Sequence, residues 1–136
     1  MIKEEDKLKI RFDFKKRLVL FGENKFAGKD TLLVIESELD VIYAWGHGVK
    51  DDMDICATMG TNVTPVQLQK MCNYNEVILA FDNDRYGKGA TEFVKNSLLG
   101  KTNVKIFNLF GGEDLGNVAP EDLKNIREDC TGVLKI

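Results

Sequence analysis

The sequence predicts an α/β fold in which helices flank a four-stranded, mainly parallel sheet. Four short apolar runs are typical of strands buried on both faces, because their hydrophobic residues are continuous rather than alternating. Segments with helical periodicity separate these runs, which is the pattern of parallel βαβ units. With 136 residues, 43% of them hydrophobic, the chain is long enough for one domain with a full core.

The first thirty residues predict a short N-terminal arm. Leu8, Ile10, Phe12 and Phe14 alternate with polar, mostly charged residues, and this period of two favours an edge strand or hairpin. Residues 1–30 carry nine Lys or Arg against six Asp or Glu, whereas the remainder carries ten against sixteen. The arm is therefore the candidate surface for phosphate contacts, although a solvated charged arm explains the same charges equally well.

From Thr31 onward, strands and helices alternate. The strands are predicted at 31–35, 55–59, 77–81 and 104–110, and the helices at 37–45, 64–73, 89–99 and 120–129. Thr64, Pro65 and Gln67 predict a helix start, since threonine can cap, proline suits the first helical position and glutamine completes a capping box. Glycine follows the first and third helices, which is typical of helix ends.

Acidic side chains follow three of the four predicted strands: Glu36 after the first, Asp82 and Asp84 after the third, Asp114 or Glu113 after the fourth. Asp40 shares a face with Glu36 if the intervening turn is helical. Right-handed crossovers bring the carboxyl ends of parallel strands to one edge, so one crevice collects these acids. Their repulsion is relieved by Mg²⁺ or Mn²⁺, which prefer carboxylate oxygens. A solvated Asp-Asn-Asp turn is the alternative explanation for Asp82 and Asp84.

Other classes of protein find less support in the sequence. Cys56, Cys72 and Cys130 are far apart and His47 is the single histidine, so no zinc-ligand spacing is present. No apolar run reaches the length of a membrane span and the charged start is unlike a signal peptide, so we expect a cytoplasmic protein without a membrane partner. The net charge of −3 argues against strong unaided binding of nucleic acid.

Five stretches of the sequence resemble the Toprim half of the bacterial-type DNA primase catalytic core. Residues 35–40 resemble the first Toprim signature, a glutamate with an aspartate four positions later, and residues 81–87 resemble the second, Asp-x-Asp followed by glycine. Residues 58–68 are similar to the Gly-Thr and Thr-Pro-x-Gln-Leu stretch of these primases, and residues 20–22 and 112–114 to their lead-in and last acidic loop. The resemblance implies a Rossmann-like Toprim domain at 31–136, preceded at 1–30 by a remnant of the neighbouring core subdomain.

The resemblance also implies roles for individual residues. It implies that Glu36 is the acid/base carboxylate and that the ligands of Mg²⁺ or Mn²⁺ are Asp82, Asp84, Asp40 and Asp114. Lys16 falls where the primases carry a basic residue near the template strand. The sequence departs from the family pattern at Ser37, where glycine is usual, and at Gly116, where many primases have another acid.

The activity that the resemblance implies is nucleotidyl transfer in DNA replication, making RNA primers from nucleoside triphosphates on a single-stranded DNA template. The replicative helicase is an expected partner through regions that this chain lacks. As an excised domain or a small stand-alone relative, the chain is expected to bind metal but to prime weakly or not at all alone. A Toprim-family metal-dependent nuclease and a non-catalytic module that binds metal or nucleic acid stay open as alternatives.

Overall fold

The computed structural model describes residues 18–49, 52–109, 115–118 and 120–132. Their strands are β1 (Thr31–Ile35), β2 (Asp54–Ala57), β3 (Glu76–Ala80), β4 (Asn103–Ile106) and β5 (Thr131–Gly132). Their helices are α1 (Glu38–Gly46), α2 (Pro65–Met71), α3 (Arg85–Leu98), α4 (Pro120–Lys124) and α5 (Ile126–Asp129), with short 3-10 helices at Glu23–Lys25 and Leu115–Asn117. The predicted strand or hairpin in residues 1–17 lies outside the described residues, as do Lys16, Glu113 and Asp114.

The sheet has the order β2-β1-β3-β4-β5, and β1 to β4 are mutually parallel, which confirms the predicted fold class. β5 adds an antiparallel edge strand, in which Gly132 pairs with Lys105 and Thr131 pairs with Ile106. Nothing in the sequence indicates β5, because two residues are too short for a recognisable apolar run. β1 lies inside the sheet, between β2 and β3.

Both faces of the sheet are buried, as the continuous apolar runs predict. Successive side chains of a strand point to opposite faces, so neighbouring residues of β1 enter different clusters. One cluster joins the sheet to α1, α4 and α5 and includes Leu33, Ile35, Val41, Ala44, Leu123 and Ile126. The other joins it to α2 and α3 and includes Leu32, Val34, Met71, Val94 and Leu98. Helices therefore pack on both faces of the sheet.

Two helix predictions were wrong in ways that matter for the site. α3 begins at Arg85 rather than Gly89, because the side chain of Asp84 caps it directly after the Asp-x-Asp turn. Helical periodicity predicts that Phe93, Val94 and Leu98 face the core; Val94 and Leu98 are buried, but Phe93 is 51% exposed. The predicted last helix is divided at Asn125 into α4 and α5.

Within the described residues, no helix has both the length and the apolar character needed to cross a bilayer.

The segment that precedes β1 packs against the edge of the sheet. Phe21 exchanges backbone hydrogen bonds with Ala57 of β2, with N–O distances of 2.9 and 3.1 Å. The buried carboxylate of Asp54 accepts hydrogen bonds from the backbone N–H of Ala27 at 2.9 Å and from the hydroxyl of Tyr74 at 2.7 Å. The contact of Phe21 lies at the carboxyl end of β2, and the contacts of Asp54 lie at its amino end, so residues 21–30 pack along the length of this edge strand.

Candidate metal centre

The topology brings Glu36 and Asp82 to the same edge of the sheet. β1 and β3 are parallel neighbours, and Ile35 pairs with Ala80 at their carboxyl ends. Glu36 follows Ile35 directly, whereas Asp82 follows Ala80 after one further residue, so both carboxylates leave the sheet at its carboxyl edge. The Glu36 side chain is partly buried, and its Oε1 atom is buried without a hydrogen-bond partner. A carboxylate oxygen that is buried without a hydrogen-bond partner at this edge can instead bind a cation.

The electrostatic environment of Glu36 shows which of the predicted acids converge. The pKa of Glu36 is raised from 4.5 to about 7, and burial of its carboxyl group is the largest cause. The smaller causes are, in decreasing order, a hydrogen bond with Asp82, the charge of Asp82, and the charges of Asp84 and Asp40. Asp82, Asp84 and Asp40 therefore all act electrostatically on Glu36. Their common effect is to disfavour the charged form of Glu36.

Asp84 is positioned by its role as the N-cap of α3. Its Oδ1 atom accepts a hydrogen bond of 2.7 Å from the backbone N–H of Gly87, which satisfies one of the free N–H groups of the first turn. A Cβ atom at Gly87 would lie 1.9 Å from the backbone oxygen of Asp82. Glycine is therefore required here for the close approach of α3 to the Asp82 backbone, and this contact fixes the Asp-x-Asp turn.

Asp40 connects the acidic cluster to the loop after β4. It lies in the first turn of α1, which begins after Ser37, whose hydroxyl accepts a hydrogen bond of 3.2 Å from the N–H of Leu39. Asp40 is 6% exposed, and its Oδ1 atom accepts a hydrogen bond of 3.2 Å from the N–H of Gly116. This contact brings the chain two residues after Asp114 to the centre, although Asp114 itself lies outside the described residues.

The stretch from Thr58 to Gln67 holds the backbone of Glu36, a role that the sequence analysis missed. The N–H of Gly60 donates to the carbonyl of Glu36 at 3.2 Å, and the N–H of Thr58 donates to the carbonyl of Ile35 at 3.0 Å. The buried side chain of Gln67 donates in turn to the carbonyl of Thr58 at 3.1 Å. The capping-box pattern singles out Gln67 in the sequence, but it predicts only the start of a helix. It does not predict the hydrogen bond from the Gln67 side chain to Thr58, in the loop beside Glu36.

Comparison with known proteins agrees with this geometry. The Toprim-like family matches residues 33–118, which include Glu36, Asp82 and Asp84. The chain belongs to the Toprim-like family. It is 35% identical to the DNA primase of Enterococcus faecalis over 83 residues and 30% identical to that of Synechococcus elongatus over 113 residues. These alignments cover 57% and 74% of this chain but only 13% and 16% of the two primases.

Solved primase structures share the fold of this Toprim-like domain. A DnaG primase catalytic domain bound to single-stranded DNA aligns over 86% of this chain and 40% of its own, with a TM-score of 0.71 and 23% identity. The zinc-binding and RNA polymerase domains of the Aquifex aeolicus primase align over 88% and 32%, with a TM-score of 0.73 and 21% identity. The chain thus has a primase-type Toprim fold and spans less than half of either structure.

The acids of this Toprim-like domain fit a divalent cation without forming a closed cage. Within the described ranges, no three His, Cys, Asp or Glu side chains lie close enough together to hold an ion. Asp84 caps α3 and Asp40 accepts from Gly116, whereas Glu36 offers a buried, unsatisfied oxygen. Mg²⁺ typically binds one or two carboxylates and completes its shell with water and substrate phosphates, so an open, oxygen-rich centre suits it.

The raised pKa of Glu36 predicts a pH-dependent stability for the metal-free domain. Between pH 4.5 and about 7 the folded state holds more protons at Glu36 than the unfolded state, so the free energy of unfolding falls as the pH rises through this window. Urea unfolding in the presence of a chelator would measure this slope. The Glu36→Gln variant, which cannot ionise, should give a flatter profile from pH 5 to 7, and equal slopes for the two proteins would contradict the prediction.

Proposed function

We propose that this chain is the Toprim portion of a DNA primase and that, with the rest of the catalytic core, it makes RNA primers by metal-dependent nucleotidyl transfer. The observation that carries the proposal is the convergence of Glu36 with Asp40, Asp82 and Asp84 at the carboxyl edge of a Toprim sheet. The identity to two curated DNA primases supports the choice of this reaction over the others found in Toprim proteins. In this proposal residues 31–136 are the Toprim domain and residues 1–30 continue the preceding core subdomain.

The proposed substrates are single-stranded DNA as template and nucleoside triphosphates. A solved relative is a DnaG catalytic domain bound to single-stranded DNA, and another is the primase fragment of the bacteriophage T7 primase-helicase protein. These relatives support a nucleic-acid template and a helicase that acts beside the complete protein. Lys16 is proposed to contact the template strand.

The chemistry requires a divalent cation, in line with the general metal dependence of the family, and we propose Mg²⁺ or Mn²⁺. The bound ion supplies charge neutralisation and orientation for the nucleotide phosphates. Asp82, Asp84 and Asp40, together with Asp114, are the residues that would hold it. Glu36, whose carboxylate lies at the same edge and has a buried oxygen without a hydrogen-bond partner, is proposed to accept the proton of the attacking 3′-hydroxyl.

A chimaera tests the proposal, because this chain alone is expected to prime weakly. Residues 33–118 would replace the aligned segment of the Enterococcus faecalis primase, and labelled nucleotides would report RNA synthesis on circular single-stranded DNA. We expect template-dependent RNA from the chimaera and a loss of at least about 100-fold in the matched Glu36→Gln chimaera, the lower end of a general-base contribution. Circular dichroism of both chimaeras controls for folding.

Two outcomes would contradict the proposed function. A folded chimaera that binds Mn²⁺ but makes no RNA would show that this centre does not support nucleotidyl transfer. Metal-dependent shortening of a labelled DNA strand by the chain itself, without nucleoside triphosphates, would favour the Toprim-family nuclease instead.

A further inference from the structure

Helix α3 carries an exposed aromatic surface that begins beside the candidate metal centre. Tyr86 and Phe93 are 65% and 51% exposed, and their spacing of seven residues places both on one face of the helix. With a rise of 1.5 Å per residue, their Cα atoms are roughly 10 Å apart along the axis. Gly89 lies between them, and a Cβ atom there would meet nothing within 4 Å. We call this face, formed by Tyr86, Gly89 and Phe93, the aromatic ledge.

Two cations, Arg85 and Lys88, lie beside the exposed N-cap Asp84 at the start of the aromatic ledge, in a chain whose net charge is −3. The guanidinium of Arg85 lies 5.2 Å from the centroid of the Tyr86 ring, and Lys88 is exposed in the same turn. Further along α3, Lys95 forms an ion pair of 2.8 Å with Glu92. Arg85 therefore lies over the ring that is nearest to the centre, and Lys88 adds a second exposed cation to the same turn.

We propose that the aromatic ledge binds single-stranded nucleic acid by base stacking, with one base on Tyr86 and another further along the strand on Phe93. The inference rests on the proposed function, because it places the strand next to the centre where nucleotidyl transfer would occur. Exposed rings combined with nearby cations are the usual means of holding a single strand without reading its sequence. Arg85 and Lys88 supply the charges that offset the phosphates, which the acids of the centre would otherwise repel.

The position of Tyr86 supports a nucleic acid over a protein as the occupant. Tyr86 lies two residues after Asp84, so a base stacked on its ring leaves the adjoining phosphates close to the proposed metal ligands. The ledge consists of two separate rings with an open glycine between them, flanked at its start by cations. That arrangement suits flat bases joined by phosphates better than a continuous apolar protein surface.

The proposal is tested by substitutions at Tyr86 that distinguish the contribution of the aromatic ring from that of apolar side-chain volume. Binding of a fluorescein-labelled thymidine oligonucleotide would be followed by anisotropy in buffer containing Mn²⁺. Base stacking contributes about 1 to 3 kcal/mol per base, so Tyr86→Leu, which keeps apolar bulk but loses the ring, should weaken binding by about 5- to 100-fold. Tyr86→Phe should retain the parent affinity. Leu99→Ala, at an exposed apolar residue at the far end of α3, is the matched control and should have no effect.

A second measurement reports stacking directly. Trp45 is the single tryptophan of the chain, so a Trp45→Phe, Tyr86→Trp double variant has its one indole on the ledge. A base stacked on this indole should quench its fluorescence, whereas an oligonucleotide bound elsewhere on the domain would leave the fluorescence unchanged. Unchanged fluorescence during binding, unchanged affinity in Tyr86→Leu, or no binding by the parent chain would each overturn the proposal. Self-association that is lost in Tyr86→Leu with oligonucleotide affinity unaltered would instead assign the ledge to a protein contact.

The same experiments separate this inference from the proposed function. Mn²⁺ binding by the Tyr86→Leu variant should equal that of the parent, because Tyr86 contributes no carboxylate to the centre. If binding depends on Tyr86 but the folded chimaera makes no RNA, the ledge is a nucleic-acid site and the proposed reaction is wrong. If RNA is made but Tyr86→Leu leaves oligonucleotide binding unaltered, the reaction stands and the ledge inference fails.

Discussion

Replacement of Asp82 and Asp84 by asparagine is expected to abolish Mn²⁺ binding by this Toprim-like domain. The variant removes two negative charges from the cluster that raises the pKa of Glu36. Asparagine caps helices about as well as aspartate, so Asp84→Asn keeps an acceptor for the N–H of Gly87 and leaves the start of α3 intact. The loss of affinity should exceed the roughly 10- to 100-fold that is typical of substitutions outside the ligand shell.

Calorimetric titration of Mn²⁺ into the parent and the variant would measure this effect. Asp52→Asn is a suitable control, because Asp52 is an exposed acid that precedes β2, at the opposite edge of the sheet. Equal binding by the parent and the double variant would move the site elsewhere and reduce the acidic edge to a coincidence of loops. If neither protein binds, titration in the presence of a nucleoside triphosphate would show whether substrate phosphates must complete the ion's shell.

The second large effect is expected at Gly87. A Cβ atom at this position would lie 1.9 Å from the backbone oxygen of Asp82, and a backbone atom cannot move aside as the end of a flexible side chain can. Gly87→Ala must therefore push α3 away from the Asp-x-Asp turn. We expect a loss of about 1 to 3 kcal/mol in the free energy of unfolding, the usual cost of overpacking, together with weaker Mn²⁺ binding.

Gly89→Ala is a matched control in the same helix. Gly89 is exposed and open around its Cβ position, so alanine there should leave Mn²⁺ binding unchanged and stabilise the helix by up to about 1 kcal/mol. Urea unfolding and Mn²⁺ calorimetry of both variants would test the contrast. Similar behaviour of the two variants would show that the contact between Gly87 and Asp82 does not determine the geometry of the centre.

Much of the fold could be predicted from local patterns. β1 at Thr31–Ile35 was predicted correctly to the residue, because a continuous apolar run bounded by polar residues is the direct signature of a buried parallel strand. The capping box of Thr64 and Gln67 was also confirmed, since it depends on residues only three positions apart. The start of α3 was missed because Gly87 and Gly89 lower helix propensity, while the cap by Asp84 compensates for them.

By itself, the sequence determined the order of strands and helices and the acids that follow the strands, because these are properties of neighbouring residues. The grouping of Glu36 with Asp40, Asp82 and Asp84 is consistent with the resemblance, but their roles as catalytic residue and metal ligands stay predictions. Tertiary structure alone decided the elevated pKa of Glu36, the need for glycine at position 87 and the exposure of Tyr86 and Phe93. Each of these depends on which surfaces meet across the fold, and a local pattern carries no information about contacts between distant segments.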